Sequence, residues 1–205
     1  MIALIDYGIG NLQAFLNLYQ RLHIPVTMAT TAADIEQATK LILPGVGHFD
    51  HAMQLFNASE MKDTVVRRVT EDGVPILGIC VGMQMLANSS EEGSEPGLGW
   101  IPGRVKAFKE VLAGKNLPLP HMGWNDVTAT PEAALFKQFE PADTRFYFLH
   151  SYYFEPEATE NCMGRCDYGL LFSCAVNKDN VYGVQFHPEK SHHFGELLLK
   201  NFAEL

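Results

Sequence analysis

Val74-Pro-Ile-Leu-Gly-Ile-Cys80-Val-Gly-Met-Gln84 carries a short apolar run into one cysteine set between glycines. Val74 to Ile79, bounded by Gly73 and Gly78, has the character of a strand buried on both faces of a parallel sheet. Met83 to Asn88 reads as a helix. Between them, Gly78-x-Cys80-x-Gly82 has the spacing of a tight strand-to-helix turn that lifts a nucleophile to its tip, a turn that needs neighbours without a Cβ. A thiol placed there feels the positive end of the helix dipole, which favours the thiolate. A small cysteine buried in the core is the competing reading of the same stretch.

Working outward, Ile2 to Ile5, Val26 to Ala29 and Lys40 to Leu43 read as further strands, the third ending at Pro44-Gly45-Val46-Gly47. Between them lie a helix with apolar positions at Leu12, Phe15, Leu16, Tyr19 and Leu22 and a short helix over Ala32 to Ala38 opened by Thr31 or Asp34. Helical patterns continue over Phe49 to Asn57 and Ser59 to Glu71. Alternating strands and helices predict an α/β fold with a mostly parallel central sheet and helices on both faces. In such sheets ligands gather beyond the carboxyl ends of the strands, where the Pro44 to Gly47 loop and Cys80 both fall. That loop can offer bare backbone N–H groups to an anion, or be an ordinary turn.

The second half contains shorter pieces: Val105 to Phe108, Met122 to Val127, Phe146 to Leu149, Tyr152 to Phe154, Leu171 to Val176 and Val181 to His187, expected as antiparallel additions. Ser89 to Pro102 reads as a polar, solvated loop. A final helix over Phe194 to Phe202 is expected to turn Phe194, Leu197, Leu198 and Phe202 inward. No repeat, linker or low-complexity tract divides the chain, so residues 1–205 are expected to form one domain.

Composition excludes several function classes. A formal charge of −9 over 205 residues, with no basic stripe, argues against a phosphate-backbone binder. No apolar run approaches the ~18 residues of a membrane span, and Met1-Ile-Ala-Leu-Ile-Asp6 lacks a basic leader, so a cytoplasmic location is expected. Gly8-x-Gly10-x-x-Gln13 lacks the third glycine of a dinucleotide fingerprint. Cys162, Cys166 and Cys174 have no second recognisable ligand couple for zinc, and free thiols are expected.

Along Val181 to His187, side chains alternate, so Gln185 and His187 share a side. Pro188 holds His187 extended, and in an extended segment Glu189 falls on the same side as the imidazole. A thiol, an imidazole to carry its proton and a carboxylate to fix the imidazole's tautomer form the set that nucleophilic catalysis requires. His-Pro-Glu is also compatible with a plain surface turn. His23, His48, His51, His192 and His193 have no such companions.

With Cys80, Pro44 to Gly47 and His187-Pro-Glu189 in place, the sequence resembles the triad glutamine amidotransferases, class I. More closely it is similar to the glutaminase subunits of imidazole glycerol phosphate synthases. The likeness is carried by Ile5-Asp-Tyr-Gly-Ile-Gly-Asn-Leu12, Leu43-Pro-Gly-Val-Gly47, the elbow, Ser90-Glu-Glu-Gly93, Gly97-Leu-Gly99, His121-Met-Gly-Trp-Asn125, His150-Ser-Tyr152 and Gly183 to Ser191. The resemblance implies Cys80 as nucleophile, His187 as base and acid, and Glu189 as its orienter. It implies an oxyanion hole from backbone N–H groups of Val81 and of Val46 or Gly47. It also implies glutamine held by Gly45, Gly47, Gln84, Glu92, Ser151 and Tyr152, with no metal and no cofactor. The implied partner is a β/α-barrel cyclase in a heterodimer, received near Tyr7, Gly8, Asn11, His121, Met122, Trp124 and Asn125. Supply of ammonia to an amidino-sugar amidotransferase, and a non-catalytic interaction subunit, are the alternatives. Val81 stands where leucine is more usual, Ser151 where threonine is, and Asn161 to Cys166 matches no family motif.

Overall fold

A computed structural model describes residues 1–140 and 144–205. Strands β1 (Ile2–Ile5), β2 (Val26–Ala29), β3 (Lys40–Gly45) and β4 (Ile76–Cys80) pair in parallel in the order β2-β1-β3-β4, linked by α1 (Leu12–Arg21), α2 (Ala32–Glu36), α3 (Phe49–Ala58) and α4 (Lys62–Thr70). The apolar runs explain the arrangement: every residue of β1 and β4 is buried, as strands covered on both faces must be. The start of α2 is fixed by a capping box in which Thr31 and Asp34 each satisfy the other's backbone N–H, uniting the two candidate openers.

The rest of the sheet follows the expected plan with one consequential difference. β13 (Val181–Val184) is inserted parallel beside β4, Gly183 opposite Gly78, instead of being added antiparallel at an edge. Beyond it the sheet turns antiparallel through β12 (Leu171–Lys178), β10 (Tyr152–Pro156) and β6 (Gly103–Ala107), with β5 (Ser89–Ser90) parallel to β6. β11 (Cys162–Asp167) pairs off β12, and β8 (Thr128–Ala129) pairs in turn with β11, neither foreseen from composition. β7 (His121–Asp126) and β9 (Arg145–His150) form a separate antiparallel ribbon. The described residues also include short helices α5 (Val81–Gln84) and α6 (Phe108–Val111) and the closing α7 (His192–Ala203). Along α7 it is Leu199, with Leu198 and Phe202, that is fully buried, while Phe194 and Leu197 are half-buried.

Three further expectations are corrected. The helix read over Met83 to Asn88 is the four-residue α5, starting directly after Cys80. It stops because the carbonyls of Met85, Leu86, Ala87 and Asn88 accept from Leu98, Ile101, Gly99 and Gly97, which takes the acceptors a longer helix would need. That same competition orders much of the stretch read as a solvated loop, whose Ser94 and Glu95 amides also donate to Asp50 of α3 at 2.9 Å. The strand read to His187 ends at Val184, because the Gln185 amide donates to Cys174 and the His187 amide crosses to Tyr147 of β9. Among the described residues, no helix is long and apolar enough to cross a membrane.

Candidate active site

β3, β4 and β13 end together, with Gly45 opposite Cys80 in register. At this carboxyl edge the chain must reverse from strand to helix in no space. A Cβ on Gly82 would sit 2.0 Å from the Leu43 carbonyl oxygen, and one on Gly78 would sit 2.6 Å from the Gly82 oxygen. Only glycine fits these approaches. The turn throws Cys80 to φ 54°, ψ −111°, a conformation a residue with a side chain adopts at a cost of about 1–3 kcal/mol, tolerated where the surroundings enforce it.

Cys80 opens onto a pocket of about 420 Å³ whose walls include Val46, Gly47, Val81, Gln84, Glu92, Leu149, Ser151, Tyr152 and His187. Its sulfur lies 4.0 Å from the Leu149 carbonyl and 3.8 Å from the side-chain nitrogen of Gln185. As the first residue of α5, Val81 has a backbone N–H with no acceptor inside the helix. Gly47, at φ 83°, turns the other loop at the pocket's rim. Gly45 does not reach the pocket: it lies beneath it, against the Val81 and Gly82 backbone.

His187 reaches the same pocket at the head of a 3₁₀ turn over Pro188–Lys190, not through the extended segment expected, and the turn sets Glu189 against its ring, outside the pocket wall. Imidazole Nδ1 lies 2.8 Å from the Glu189 carboxylate, and the two side chains are 5% and 4% exposed. An ionised carboxylate only accepts, so Nδ1 carries a proton and Nε2 is left for the thiol. Burial lowers the His187 pKa, but hydrogen bonds and charges from Cys80 and Glu189 outweigh it and raise the value to about 10. The imidazolium is thereby favoured beside the sulfur. Buried Ser191 pins this turn: its hydroxyl donates to the His187 carbonyl at 2.6 Å and accepts from the Tyr147 amide at 3.0 Å.

Glu92 is held at the start of α3, accepting from the Phe49 amide at 2.9 Å. Tyr152 stands near enough to Glu92 and Glu91 that their charges, after burial, raise its pKa. The other cysteines contrast with Cys80. Cys162, Cys166 and Cys174 are buried and free, burial pushing Cys166 up to about 12 and Cys174 well up, so both are held as inert thiols. Among the described residues, no cluster of three or more His, Cys, Asp or Glu could hold a metal.

The residues expected at a partner surface divide. Met122 and Trp124 project from the outer face of the β7–β9 ribbon, 64% and 42% exposed, with Leu149 and Val46 also exposed close by at the pocket wall. Gly8 and Asn11 are exposed, and Asn125 is half-buried. Tyr7 and His121 are corrected. The Tyr7 ring is in the core against Phe56, its hydroxyl donating to the Pro44 carbonyl at 2.6 Å, so it braces the rim loop from below. His121 is sandwiched between Phe148 and Tyr168. Leucine-rich periodicity foretells neither, because both face inward through contacts distant in sequence.

The model of the glutamine amidotransferase class-I family matches residues 3–205. The chain belongs to this family. The amidotransferase is 58% identical to the imidazole glycerol phosphate synthase subunit HisH of Bdellovibrio bacteriovorus and 47% identical to that of Leptospira interrogans, each time over the full length of both chains. Its fold is similar to that of a crystal structure of a glutamine amidotransferase, with a TM-score of 0.74 at 19% identity, over 99% of this chain and 97% of the other. Gln185 and Ser191, whose roles come from contacts across the sheet, are the members of the site that a reading along the chain passed over.

Proposed function

We propose that the chain, acting as one glutaminase domain, is the ammonia-producing subunit of an imidazole glycerol phosphate synthase in histidine biosynthesis. The observation that carries this reading is the convergence of Cys80, the orphan Val81 N–H and His187, itself oriented by Glu189 at 2.8 Å, on one pocket. Full-length identity to HisH subunits supports the choice of synthase.

In this mechanism the Cys80 thiolate attacks the side-chain amide carbon of glutamine, and the carbonyl π pair moves onto oxygen. The Val81 N–H and a backbone N–H from Val46 or Gly47 receive that oxyanion; such a donor is typically worth about 10²–10³ in turnover. The oxyanion collapses, the C–N bond breaks, and the leaving nitrogen takes the proton of His187, giving ammonia and a glutamyl thioester. Water then adds to the thioester, giving a proton to His187, and the Cys80–carbon bond breaks to release glutamate. Glu189 holds the ring with Nδ1 protonated throughout. Gln84, Glu92, Gly47, Ser151 and Tyr152 surround the amino-acid end of the substrate, Glu92 placed to meet its ammonium. Gly45 serves by letting the two backbones meet.

Ammonia is a nucleophile only while unprotonated, so a receiver docked over the pocket has a physical purpose. Exposed Met122, Trp124, Leu149 and Val46 give the apolar anchors such a contact needs. The partner in this reading is a β/α-barrel cyclase, and the complex works in the cytoplasm.

Glutamate release is measured with the cyclase barrel, with and without the barrel's nucleotide ligand. Stimulation by barrel and ligand together is expected. Indifference to that barrel, with stimulation by an amidino-sugar amidotransferase, would move the chain to the other pathway.

A further inference from the structure

Gln185, just beyond the end of β13, is fully buried, and burying an amide for packing alone would waste its hydrogen bonds. Its contacts reveal a use. The Tyr152 carbonyl is a pure acceptor, so both groups that meet it must donate: Gln84 Nε2 at 3.3 Å and His150 Nδ1 at 2.7 Å. Gln84 Nε2 also lies 3.1 Å from the Gln185 side chain, which must therefore present its oxygen there. The Gln185 amide nitrogen is left facing Cys80 Sγ, at 3.8 Å. A flipped amide would set two N–H groups against each other and a carbonyl against the sulfur.

The other arm of the same carbonyl is equally directed. With Nδ1 of His150 protonated, its Nε2 accepts from His121 Nδ1 at 2.9 Å, and His121 Nε2 accepts from Asn125 Nδ2 at 3.3 Å. Burial keeps both imidazoles neutral, lowering His121 to about 4 and His150 to about 3. The orientation of Gln185 is thus fixed by a chain of donors anchored in β7, β9 and β10. The titratable groups around the sulfur are His187 and Tyr7, whose hydroxyl is committed to Pro44.

We propose that Gln185 is a further catalytic residue of this site, its side-chain N–H stabilising the Cys80 thiolate before attack and again as the thioester is released. The inference rests on Cys80 being the nucleophile. Gln84, its two N–H groups both engaged within the protein, is left to meet substrate through its oxygen.

The test compares the full-length chain with Gln185→Met, which removes the donor, and Gln185→Glu, which sets an acceptor against the sulfur. Iodoacetamide alkylation of Cys80 is followed across pH by peptide mass mapping, and glutamine hydrolysis by the complex is measured in parallel. Expected is about 10–100-fold slower alkylation near neutral pH, an upward shift of the pH at half-maximal rate, and a similar loss in kcat with little change in KM, from losing a hydrogen bond to a charged acceptor. Alkylation profiles of Gln185→Met that superpose on the wild type would overturn the proposal, as would slower turnover with an unmoved profile. If Gln185→Glu fails to fold, Gln185→Met decides alone; if that too fails to fold, Gln84→Met, which frees the Gln185 amide to turn, must move the alkylation profile upward, and an unmoved profile overturns the proposal. A wild-type Cys80 no more reactive than a free thiol would instead defeat the glutaminase reading.

Discussion

At the residue scale, reactivity turns on proton placement. Cys80→Ala is expected to abolish glutamine-dependent synthesis by the complex while ammonia-dependent synthesis persists, measured with each nitrogen source in turn. Retained glutamine use would remove Cys80 from its role. Glu189→Gln is expected to lower kcat by about 10²–10⁴-fold, because the neutral amide no longer enforces the Nδ1-protonated ring. The same change acts on the pH profile. The His187 value of about 10 depends in part on the Glu189 bond and charge, so an alkaline decline near that pH moves to lower pH in the variant. His187-Pro-Glu189 was legible in the sequence because its partners are two residues apart. Gln185 was not, since alternation puts it on the His187 side without saying that Cys80, from a strand 105 residues away, lies opposite.

At the scale of elements, the elbow is the part with least slack. Gly82→Ala would press its methyl into the Leu43 carbonyl, and a loss of about 1–3 kcal/mol or more is expected, read as a lower urea midpoint. The ribbon β7–β9 behaves oppositely. Trp124 is exposed and stacks on His192 at 5.4 Å, so Trp124→Ala should leave the unfolding midpoint nearly unchanged while weakening cyclase binding by about 2 kcal/mol or more, read by titration calorimetry. The glycines of Gly78-x-Cys80-x-Gly82 announced the elbow because steric need is local. The length of α5 could not be read the same way: its missing turns are taken by amides from Gly97 to Ile101, which no local pattern announces.

At the scale of the whole molecule, stability should depend on pH through three histidines pulling in two directions. His121 and His150 have values lowered from 6.5 to about 4 and about 3, so between those limits the unfolded chain binds more protons and stability falls as pH drops. His187 is raised from 6.5 to about 10, so its contribution is complete below 6.5 and is lost as pH rises through about 10. Urea unfolding across pH is therefore expected to give maximal stability near neutrality, with the acid side steeper; His150→Phe should flatten that side only. The parallel half of the sheet was readable from buried strands alternating with helices. The insertion of β13 beside β4 was not, since a strand's neighbours are chosen by the whole core, and that insertion is what brings His187 to Cys80.

One thiol among four is proposed to attack glutamine. Incubating the complex with a glutamine-mimicking electrophile and mapping the adduct by peptide mass spectrometry tests it most directly. A single adduct is expected on Cys80, blocked by excess glutamine, with Cys162, Cys166 and Cys174 unmodified. An adduct on one of those three, or an unmodified Cys80 in a preparation that hydrolyses glutamine, would contradict it.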